Sequence, residues 1–531
     1  MIVKTYNVMK TRYIWLFIIA LIFVTCDNDD DSTFVLVEEL PELTAGSADF
    51  STFVSIGNSL TAGFTDNALF QAGQTNSFPN LLAQRFALVG GGDFNQPLTN
   101  DNIGGLLIGG NPIPGFGPRL FFDGAGPAGL PATPTTDITN NPTGPFNNMG
   151  VPGATSFQVV FNGLGNIQNL PNANPYFIRM ASSPNASMLE DAVAQNPSFV
   201  SLWIGNNDVL GFATSGGDQN VSFITPETTF NASLQAIMSQ MAGRQGVMAN
   251  IPDVTTIPFF TTVPFAPLSP ENPDFGPQIP TLNGIFGMLN QVYTALGMPE
   301  RSIVFSETAA SAVVIEDENL ADISTTLATI LGTNPDFAAF VQSLGLPVQA
   351  VPLVAGLLGT TYGQTRQANE NDLLTLTSLP IIGTVDPDRF NFLMQAGLPA
   401  ELAGQFSAQG ITLPLVDGFV LIPSEQQEIQ TATATFNATI EAAASSAGFA
   451  FVDANTILGG DLISGDFQLT TDLVTGGAFS LDGVHPTARG YALIANEFMR
   501  AIDVTYGSNF EASGNFYDIG EFPTNYPPEL Q

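Results

Sequence analysis

Basic residues are scarce in this chain of 531 residues. Lys and Arg together number 12 against 48 Asp and Glu, and the formal net charge at pH 7 is −36. Both lysines, Lys4 and Lys10, lie close to the N-terminus. Such an acidic chain repels nucleic-acid phosphates and anionic lipid head groups. The composition therefore excludes polybasic recognition of nucleic acid as a function, and it favours solubility outside the cytoplasm.

Cysteine and histidine occur once each, as Cys26 and His485. A single cysteine excludes an intramolecular disulfide. One cysteine and one histidine are also too few for a typical zinc site, so we expect no metal and no other cofactor. Hydrophobic residues make up 44% of the chain, which indicates a substantial buried core rather than disorder throughout.

The N-terminus has the features of an export signal. Lys4, Lys10 and Arg12 precede an apolar run, 13–24, which is followed by Thr25 and Cys26. This run is too short to span a bilayer but suits the core of a signal peptide. The position of Cys26 resembles that of the lipidated cysteine in bacterial lipoproteins. The alternative is an ordinary signal peptide with an incidental cysteine.

An acidic segment, Asp27-Asn28-Asp29-Asp30-Asp31, follows this cysteine. It resembles the acidic residues that mark surface export in lipoproteins of Bacteroidetes. We therefore expect a lipoprotein signal peptide over 1–26 and an acidic tether over 27–48. The mature protein would be membrane-anchored, in the outer membrane or on the cell surface of a Gram-negative bacterium. In enterobacterial lipoproteins an aspartate at this place favours the inner membrane instead, so the leaflet stays open.

Beyond the tether, strand patterns alternate with helix patterns. Alternation of this kind indicates parallel βαβ units and an α/β fold. Short apolar, β-favouring runs predict strands, and amphipathic runs with helix start and stop signals predict helices. The predicted strands are 50–57, 199–204, 246–251 and 449–452, and the predicted helices include 78–87, 228–242, 423–447 and 488–502.

Two stretches depart from this alternation and suggest a domain plan. Residues 90–146 are rich in Gly, Pro and Asn and predict an irregular elaboration near the site. Residues 265–420 predict a large apolar insertion or lid, with short strands at Ser302–Phe305 and Val313–Ile315. The plan is a core of 49–264 and 421–505, the insertion 265–420, and a tail, 506–531.

The single histidine is a candidate general base. His485 lies in the segment Ser480-Leu481-Asp482-Gly483-Val484-His485-Pro486-Thr487, just before the last predicted helix. Asp482, three residues upstream, can turn its carboxylate to the imidazole in a tight loop and stabilise the imidazolium. A structural or surface histidine is the alternative.

Four segments resemble, in chain order, the sequence blocks of the SGNH (GDSL-like) hydrolases. Each segment alone is ordinary turn chemistry. Together they are specific, because each lies where a predicted strand ends or a helix begins, the edge at which open α/β sheets bind ligands. The segments are Gly57-Asn58-Ser59-Leu60, Asn148-Met149-Gly150-Val151-Pro152-Gly153-Ala154, Gly205-Asn206-Asn207-Asp208 and Asp482-Gly483-Val484-His485.

The resemblance implies a three-layer α/β/α sandwich with a central parallel sheet, the flavodoxin-like SGNH fold, carrying large insertions. It also implies Ser59 as nucleophile, His485 as base and Asp482 as the group that orients it. The oxyanion would be bound by the backbone N–H groups of Ser59 and Gly153 and by the side-chain amide of Asn207. The family usually has Asp immediately before the serine, where this chain has Asn58.

We therefore expect a serine esterase or lipase that hydrolyses carboxylic esters through an acyl-enzyme. Apolar segments such as 335–344 and 348–358 could form a lid that binds an acyl chain, which favours lipid-like esters. The alternative for these segments is the core of a subdomain. Two other functions stay open, which are carbohydrate acetyl esterase and a non-catalytic surface lipoprotein that binds lipid or glycan. The oligomeric state is also open.

Overall fold

A parallel β-sheet lies at the centre of the protein in a computed structural model that describes residues 40–457, 462–464 and 467–531. The expected signal peptide with Cys26 lies outside the described residues, as does most of the acidic tether. Residues 43–531 belong to one compact unit.

Five strands form the central sheet. Their order is β5-β4-β3-β1-β2, and all neighbouring strands pair in parallel. This confirms the predicted α/β fold. Strand β2 is added on one side of β1 and the later strands on the other side, so the sheet has a topological switch point between β1 and β3. Ligands bind at the carboxyl ends of the strands that flank such a switch point. The strands are β1 (Phe53–Gly57), β2 (Asn148–Gly150), β3 (Phe199–Trp203), β4 (Gln245–Ala249) and β5 (Ala450–Val452).

Helices account for most of the remaining regular structure. The helices of eight or more residues are α1 (Phe78–Phe86), α2 (Asn207–Thr214), α3 (Glu227–Gln240), α4 (Ile279–Ala295), α5 (Ser324–Thr333), α6 (Pro335–Ser343), α7 (Val351–Tyr362), α8 (Pro387–Gln395), α9 (Pro423–Ala447) and α10 (Ala488–Tyr506). Shorter helices are Ser59–Ala62, Gln71–Thr75, Ser156–Val159, Pro175–Met180, Met188–Val193, Pro258–Thr261, Ala400–Gln405 and Ala454–Ile457.

Helices cover both faces of the central sheet. Every residue of β1 and β3 is buried. Because successive side chains of a strand point to opposite faces, burial of the whole strand requires a layer on each face. Helix α1 packs against α10 and α3 packs against α9, with the Phe230 and Phe436 rings stacked at 4.1 Å between centroids. The arrangement is compatible with an α/β/α sandwich.

Short antiparallel ribbons supplement the sheet. Two of them lie in the Gly-, Pro- and Asn-rich stretch, where the sequence predicts irregular structure. The ribbons pair Leu107–Ile108 with Asn111–Pro112, Leu120–Phe122 with Pro127–Gly129, Val314–Glu316 with Thr365–Gln367, Leu373–Leu374 with Val420–Leu421, and Leu462–Ser464 with Phe467–Leu469.

A second hydrophobic core draws its fully buried side chains from the range Val263–Ile422. Helices α6 and α7 contribute Phe337, Val341 and Leu358 to it. Among the described helices, none is alone long and apolar enough to cross a bilayer; the pair Pro335–Ser343 and Val348–Tyr362, bent by 117°, reaches that length and composition only together.

The strand predicted at Ser302–Phe305 is wrong. Among the described residues the segment has no strand partner. Two asparagine side chains of α4 form the hydrogen bonds that a neighbouring strand would otherwise form with this segment. Asn283 accepts from the backbone N–H of Phe305 at 2.9 Å and donates to its carbonyl at 2.8 Å, and Asn290 makes the same pair of bonds with Ile303 at 2.9 and 2.8 Å. Helix side chains thus satisfy a backbone that a neighbouring strand would otherwise pair.

The C-terminal segment 506–531, which we expect as a tail, packs onto the rest of the chain. Phe510 and Ile519 are buried in the core that surrounds the central sheet. The guanidinium of Arg119, from the Gly-rich stretch, donates to the carbonyl oxygens of Pro527 at 2.7 Å and Leu530 at 2.9 Å. These contacts join the C-terminal segment to the Gly-rich stretch.

Candidate active site

Strand β1 carries the chain to Ser59 at the carboxyl edge of the sheet. The strand ends at Gly57, where an added Cβ would lie 2.1 Å from Thr61 Oγ1 and 2.4 Å from the carbonyl oxygen of Trp203. Both distances are far below normal contact, so only glycine allows the chain to turn this closely past β3. Ser59 then occupies the first position of the short helix Ser59–Ala62.

Asn58 holds this turn with both ends of its side-chain amide. Its Oδ1 accepts from the backbone N–H of Leu60 at 3.1 Å and caps the helix Ser59–Ala62. Its Nδ2 donates to Asn206 Oδ1 at 3.2 Å, which links the turn after β1 to the turn after β3. An amide is suited to this position because one end accepts and the other donates.

Ser59, His485 and Asp482 form a continuous chain of hydrogen bonds. Ser59 Oγ lies 2.9 Å from His485 Nε2, although the two residues are 426 positions apart in the sequence. His485 Nδ1 lies 2.9 Å from Asp482 Oδ2. This is the geometry that a serine nucleophile, a base and an orienting carboxylate require.

Several backbone groups fix the carboxylate of Asp482. Its Oδ1 accepts from the N–H groups of Val484 and His485, each at 2.8 Å, and its Oδ2 accepts from that of Asn67 at 2.9 Å. Burial acts to raise the pKa of Asp482, but the His485 charge and these hydrogen bonds outweigh burial and lower the pKa to about 2. The carboxylate is therefore ionised at neutral pH.

A second carboxyl, that of Asp66, lies near Asp482, and the two residues share Ser480 as a hydrogen-bond partner. The sequence motifs do not indicate Asp66. Its Oδ1 accepts from the N–H of Leu481 at 3.1 Å, and its own N–H donates to Ser480 Oγ at 3.0 Å. Ser480 Oγ in turn donates to Asp482 Oδ1 at 3.1 Å. Burial raises the pKa of Asp66 to about 7, and the negative charge of Asp482 raises it as well. Closeness to Ser59 in sequence is the only signal that could have identified Asp66.

The glycine-containing turn after β2 lies beside the turn that contains Ser59. The backbone N–H of Val151 donates to the carbonyl oxygen of Gly57 at 3.0 Å. Gly153 adopts a φ of 81°, a conformation that favours glycine. The turn thus brings Gly153 to the same edge of the sheet as Ser59.

Asn207 is the first residue of α2, directly after β3. Its Nδ2 donates to the carbonyl oxygen of Ala154 at 2.9 Å, which places the amide beside the Gly153 turn. The next residue, Asp208, accepts from the N–H of Ser156 at 2.8 Å and from its Oγ at 2.6 Å. Burial raises the pKa of Asp208 and the bonds to Ser156 oppose that shift. Asp208 therefore stabilises the loops that position the Asn207 side chain.

Three hydrogen-bond donors in these turns have capacity that no acceptor of the described residues uses. Within the described part of the chain, the backbone N–H groups of Ser59 and Gly153 donate to no protein acceptor. The Asn207 amide carries a second hydrogen besides the one bound to Ala154. The three groups that the sequence assigns to an oxyanion are thus available to a ligand.

A cavity of about 40 Å³ lies against Ser59, Asn207 and His485. Its remaining wall is mostly apolar and comes from the turns after β1, β3 and β4 and from the His485 loop. The apolar side chains are Leu60, Leu210, Val254, Ile257, Phe479 and Val484. Larger grooves of about 770 and 800 Å³ lie between α3 and α9 and within 267–412, and neither contains a candidate catalytic residue.

One acidic cluster could by composition hold a cation. Among the described residues, Glu318, Asp417 and Glu425 bring carboxylate oxygens within 4.8 Å of one another. Burial, together with the charges of the other two carboxylates, raises the pKa of Glu425 to about 9. Its Oε2 accepts from the N–H of Ile422 at 2.8 Å. The raised pKa favours the neutral form of the Glu425 carboxyl at pH 7, and none of the three carboxyls lines the Ser59 cavity.

Comparison of the chain with protein-family models, with curated proteins and with solved structures finds no match. An assignment of function therefore depends on the motifs and on the geometry around Ser59.

Proposed function

We propose that the protein is a serine hydrolase of carboxylic esters, of the SGNH type. The observation that carries the proposal is the pair of 2.9 Å contacts from Ser59 Oγ to His485 Nε2 and from His485 Nδ1 to Asp482 Oδ2. Free N–H donors at Ser59 and Gly153 beside this chain of contacts support acyl transfer rather than a structural role for the histidine.

In the first half of the proposed reaction, Ser59 Oγ attacks the ester carbonyl and its proton passes to His485 Nε2. The Asp482 carboxylate stabilises the imidazolium that forms. The carbonyl oxygen becomes an oxyanion and accepts from the N–H groups of Ser59 and Gly153 and from the Asn207 amide. Each such donor typically lowers the barrier by about 2.7–4 kcal/mol.

In the second half, the bond from the carbonyl carbon to the alcohol oxygen breaks, and His485 gives its proton to that oxygen. Water then attacks the acyl group on Ser59 while His485 accepts a proton from the water. The bond from the acyl carbon to Ser59 Oγ then breaks, His485 returns its proton to Ser59 Oγ, and the carboxylic acid leaves. No step requires a metal ion or an organic cofactor.

The strand order 2-1-3-4-5 supports the finer part of the proposal, a flavodoxin-like three-layer SGNH fold. The candidate catalytic residues follow β1, β2 and β3 and precede α10. In this proposal the range 265–420, with its own hydrophobic core, is an insertion into that fold.

We also propose that the protein is exported and held at a membrane, in the outer membrane or on the cell surface, by lipid attached to Cys26. The support comes from the apolar run and the acidic segment on either side of this cysteine. The alternative function, a non-catalytic surface lipoprotein that binds lipid or glycan, has no need of an aligned serine, histidine and aspartate.

Hydrolysis of p-nitrophenyl esters by the wild type and by Ser59→Ala tests the proposed function. We expect the substitution to reduce kcat by about 10⁴-fold or more, since it removes the nucleophile. The matched control is Ser239→Ala, on the exposed side of α3, which should keep wild-type activity. Equal activity in wild type and Ser59→Ala, or no turnover of any ester, would refute the enzyme and favour the binding protein.

A further inference from the structure

The cavity beside Ser59 offers few polar partners to a ligand apart from the catalytic atoms. The Asn58 amide is bound to Leu60 and Asn206. One hydrogen of the Asn207 amide is bound to Ala154. Asn206 also lines the cavity, and its Nδ2 is the one further side-chain donor there without a partner among the described residues. The rest of the wall consists mainly of aliphatic side chains, with one phenylalanine and two prolines. An apolar substituent therefore fits this cavity, and a group with several hydroxyls does not.

The volume of the cavity limits what can enter. By the same measure of volume, one water requires about 10–15 Å³. A cavity of about 40 Å³ therefore holds about three or four non-hydrogen atoms. That is the size of the carbon chain of an acetyl, propionyl or butyryl group, and it is far smaller than a fatty-acyl chain.

The apolar insertion does not extend this cavity. None of its lining residues falls in the range 265–420. The apolar side chains of α6 and α7 that suggested a lid, such as Phe337, Val341 and Leu358, are buried in the second hydrophobic core. Packing in this core thus accounts for most of the apolar side chains of these helices, although Leu353 is exposed, and no residue of either helix lines the Ser59 cavity.

We propose that this cavity binds the acyl group of the substrate and restricts it to short chains, from acetyl to butyryl. The inference rests on the proposed ester hydrolysis at Ser59. The side chains of Leu210, Val254 and Ile257 limit the length of the acyl group, because they line the cavity and take no part in the hydrogen bonds of the proposed catalytic residues. The alcohol part of the ester lies outside, since each hydroxyl buried here without a partner would cost about 1–3 kcal/mol.

The inference is tested with p-nitrophenyl acetate, butyrate, octanoate and dodecanoate. We expect kcat/KM for octanoate to be at least about 100-fold below that for butyrate, because the additional methylenes find no space. Ser59→Ala, measured on every ester, separates catalysed from background hydrolysis.

Substitutions of the cavity wall should shift the chain-length limit in both directions. Leu210→Ala and Ile257→Ala enlarge the cavity, and we expect octanoate turnover to rise at least about tenfold relative to acetate. Leu210→Phe reduces the cavity and should lower butyrate turnover relative to acetate. Leu210 is only half-buried, so its variants retain the fold even if Ile257→Ala does not. Leu88→Ala, at an exposed leucine far from the cavity, is the matched control and should leave the dependence of turnover on acyl-chain length unchanged.

The outcomes distinguish this inference from the function on which it rests. Absence of Ser59-dependent turnover on all four esters refutes the proposed function itself. Ser59-dependent turnover of octanoate or dodecanoate at the rate of acetate leaves the hydrolase intact and overturns the short-acyl inference. An unchanged profile in both Leu210 variants also overturns it.

Discussion

The carboxyl of Asp66 connects the loop after Ser59 to the loop that contains Asp482. It is bound to Leu481, is fully buried, and has one oxygen, Oδ2, without a partner among the described residues. An ionised carboxylate is unfavourable there, because desolvation and the neighbouring Asp482 charge outweigh the attraction of Arg119. A buried carboxyl with a raised pKa makes the free energy of unfolding depend on pH.

Asp66→Asn should flatten the pH dependence of stability. The pKa of Asp66 is raised from 3.8 to about 7 in the folded protein, so between these values the folded state binds more protons than the unfolded state. Stability therefore falls as pH rises through this window, by on the order of 4 kcal/mol. Asparagine has the same shape and no ionisation, so that fall should be absent.

Urea unfolding of both proteins from pH 4 to pH 8 measures this difference. The pKa of Glu425 is also raised, but Glu425 affects the stability of both proteins equally, so its effect cancels in the difference between their curves. Asp93→Asn, at an exposed carboxyl, should follow the wild-type curve. Parallel curves for wild type and Asp66→Asn would show that the buried carboxyl is ionised in the folded protein.

The Asn207 amide is the side-chain donor of the proposed oxyanion hole. Asn207→Ala should lower kcat on p-nitrophenyl acetate by about 10²–10³-fold with little change in KM, because the bond is made to the transition state. Asn220→Ala, in the exposed loop after α2, is the control and should keep wild-type kinetics. An unchanged kcat in a folded Asn207→Ala protein would remove Asn207 from the oxyanion hole.

At the scale of the element, the end of β1 determines where Ser59 lies. Gly57→Ala places a Cβ within 2.4 Å of the Trp203 carbonyl and closer still to Thr61. We expect a loss of about 1–3 kcal/mol of stability from the forced shift. We also expect kcat to fall by about 10²-fold, since a displacement of about 1 Å is enough to misalign a nucleophile.

Thermal unfolding and ester kinetics of Gly57→Ala check both effects. The matched control is Gly129→Ala, in an exposed ribbon where an added Cβ meets no atom within 4 Å. Wild-type activity in Gly57→Ala would mean that β3 moves away to make room and that this contact does not position the nucleophile.

At the scale of the whole molecule, the net charge of −36 gives the protein no electrostatic attraction to anionic membranes. Membrane attachment would therefore depend on a lipid at Cys26. We expect Cys26→Ser to move the protein from the membrane fraction to the soluble fraction, as measured by fractionation of expressing cells. Ser59→Ala, which leaves Cys26 intact, should stay with the membranes. Unchanged membrane association of Cys26→Ser would refute the lipid anchor.

The sequence by itself determined the features that depend on neighbouring residues. Strands β1 and β3 were predictable from short β-favouring runs, and α9 from its start at Pro423 and its stop at Gly448, which adopts a φ of 68°. The pairing of Asp482 with His485 follows from a spacing of three residues. Strand β2 was missed because three residues carry no periodic signal, and Ser302–Phe305 was misassigned because its partners are side chains of α4.

The tertiary structure alone decided the features that depend on distant parts of the chain. It places Ser59 and His485 within 2.9 Å, buries Asp66 beside Asp482, and leaves a cavity of about 40 Å³ among four turns. It also packs most of the apolar side chains of α6 and α7 into the second hydrophobic core. Periodicity shows that a helix has an apolar face, but only the packing of the whole chain decides whether a substrate or another helix covers that face.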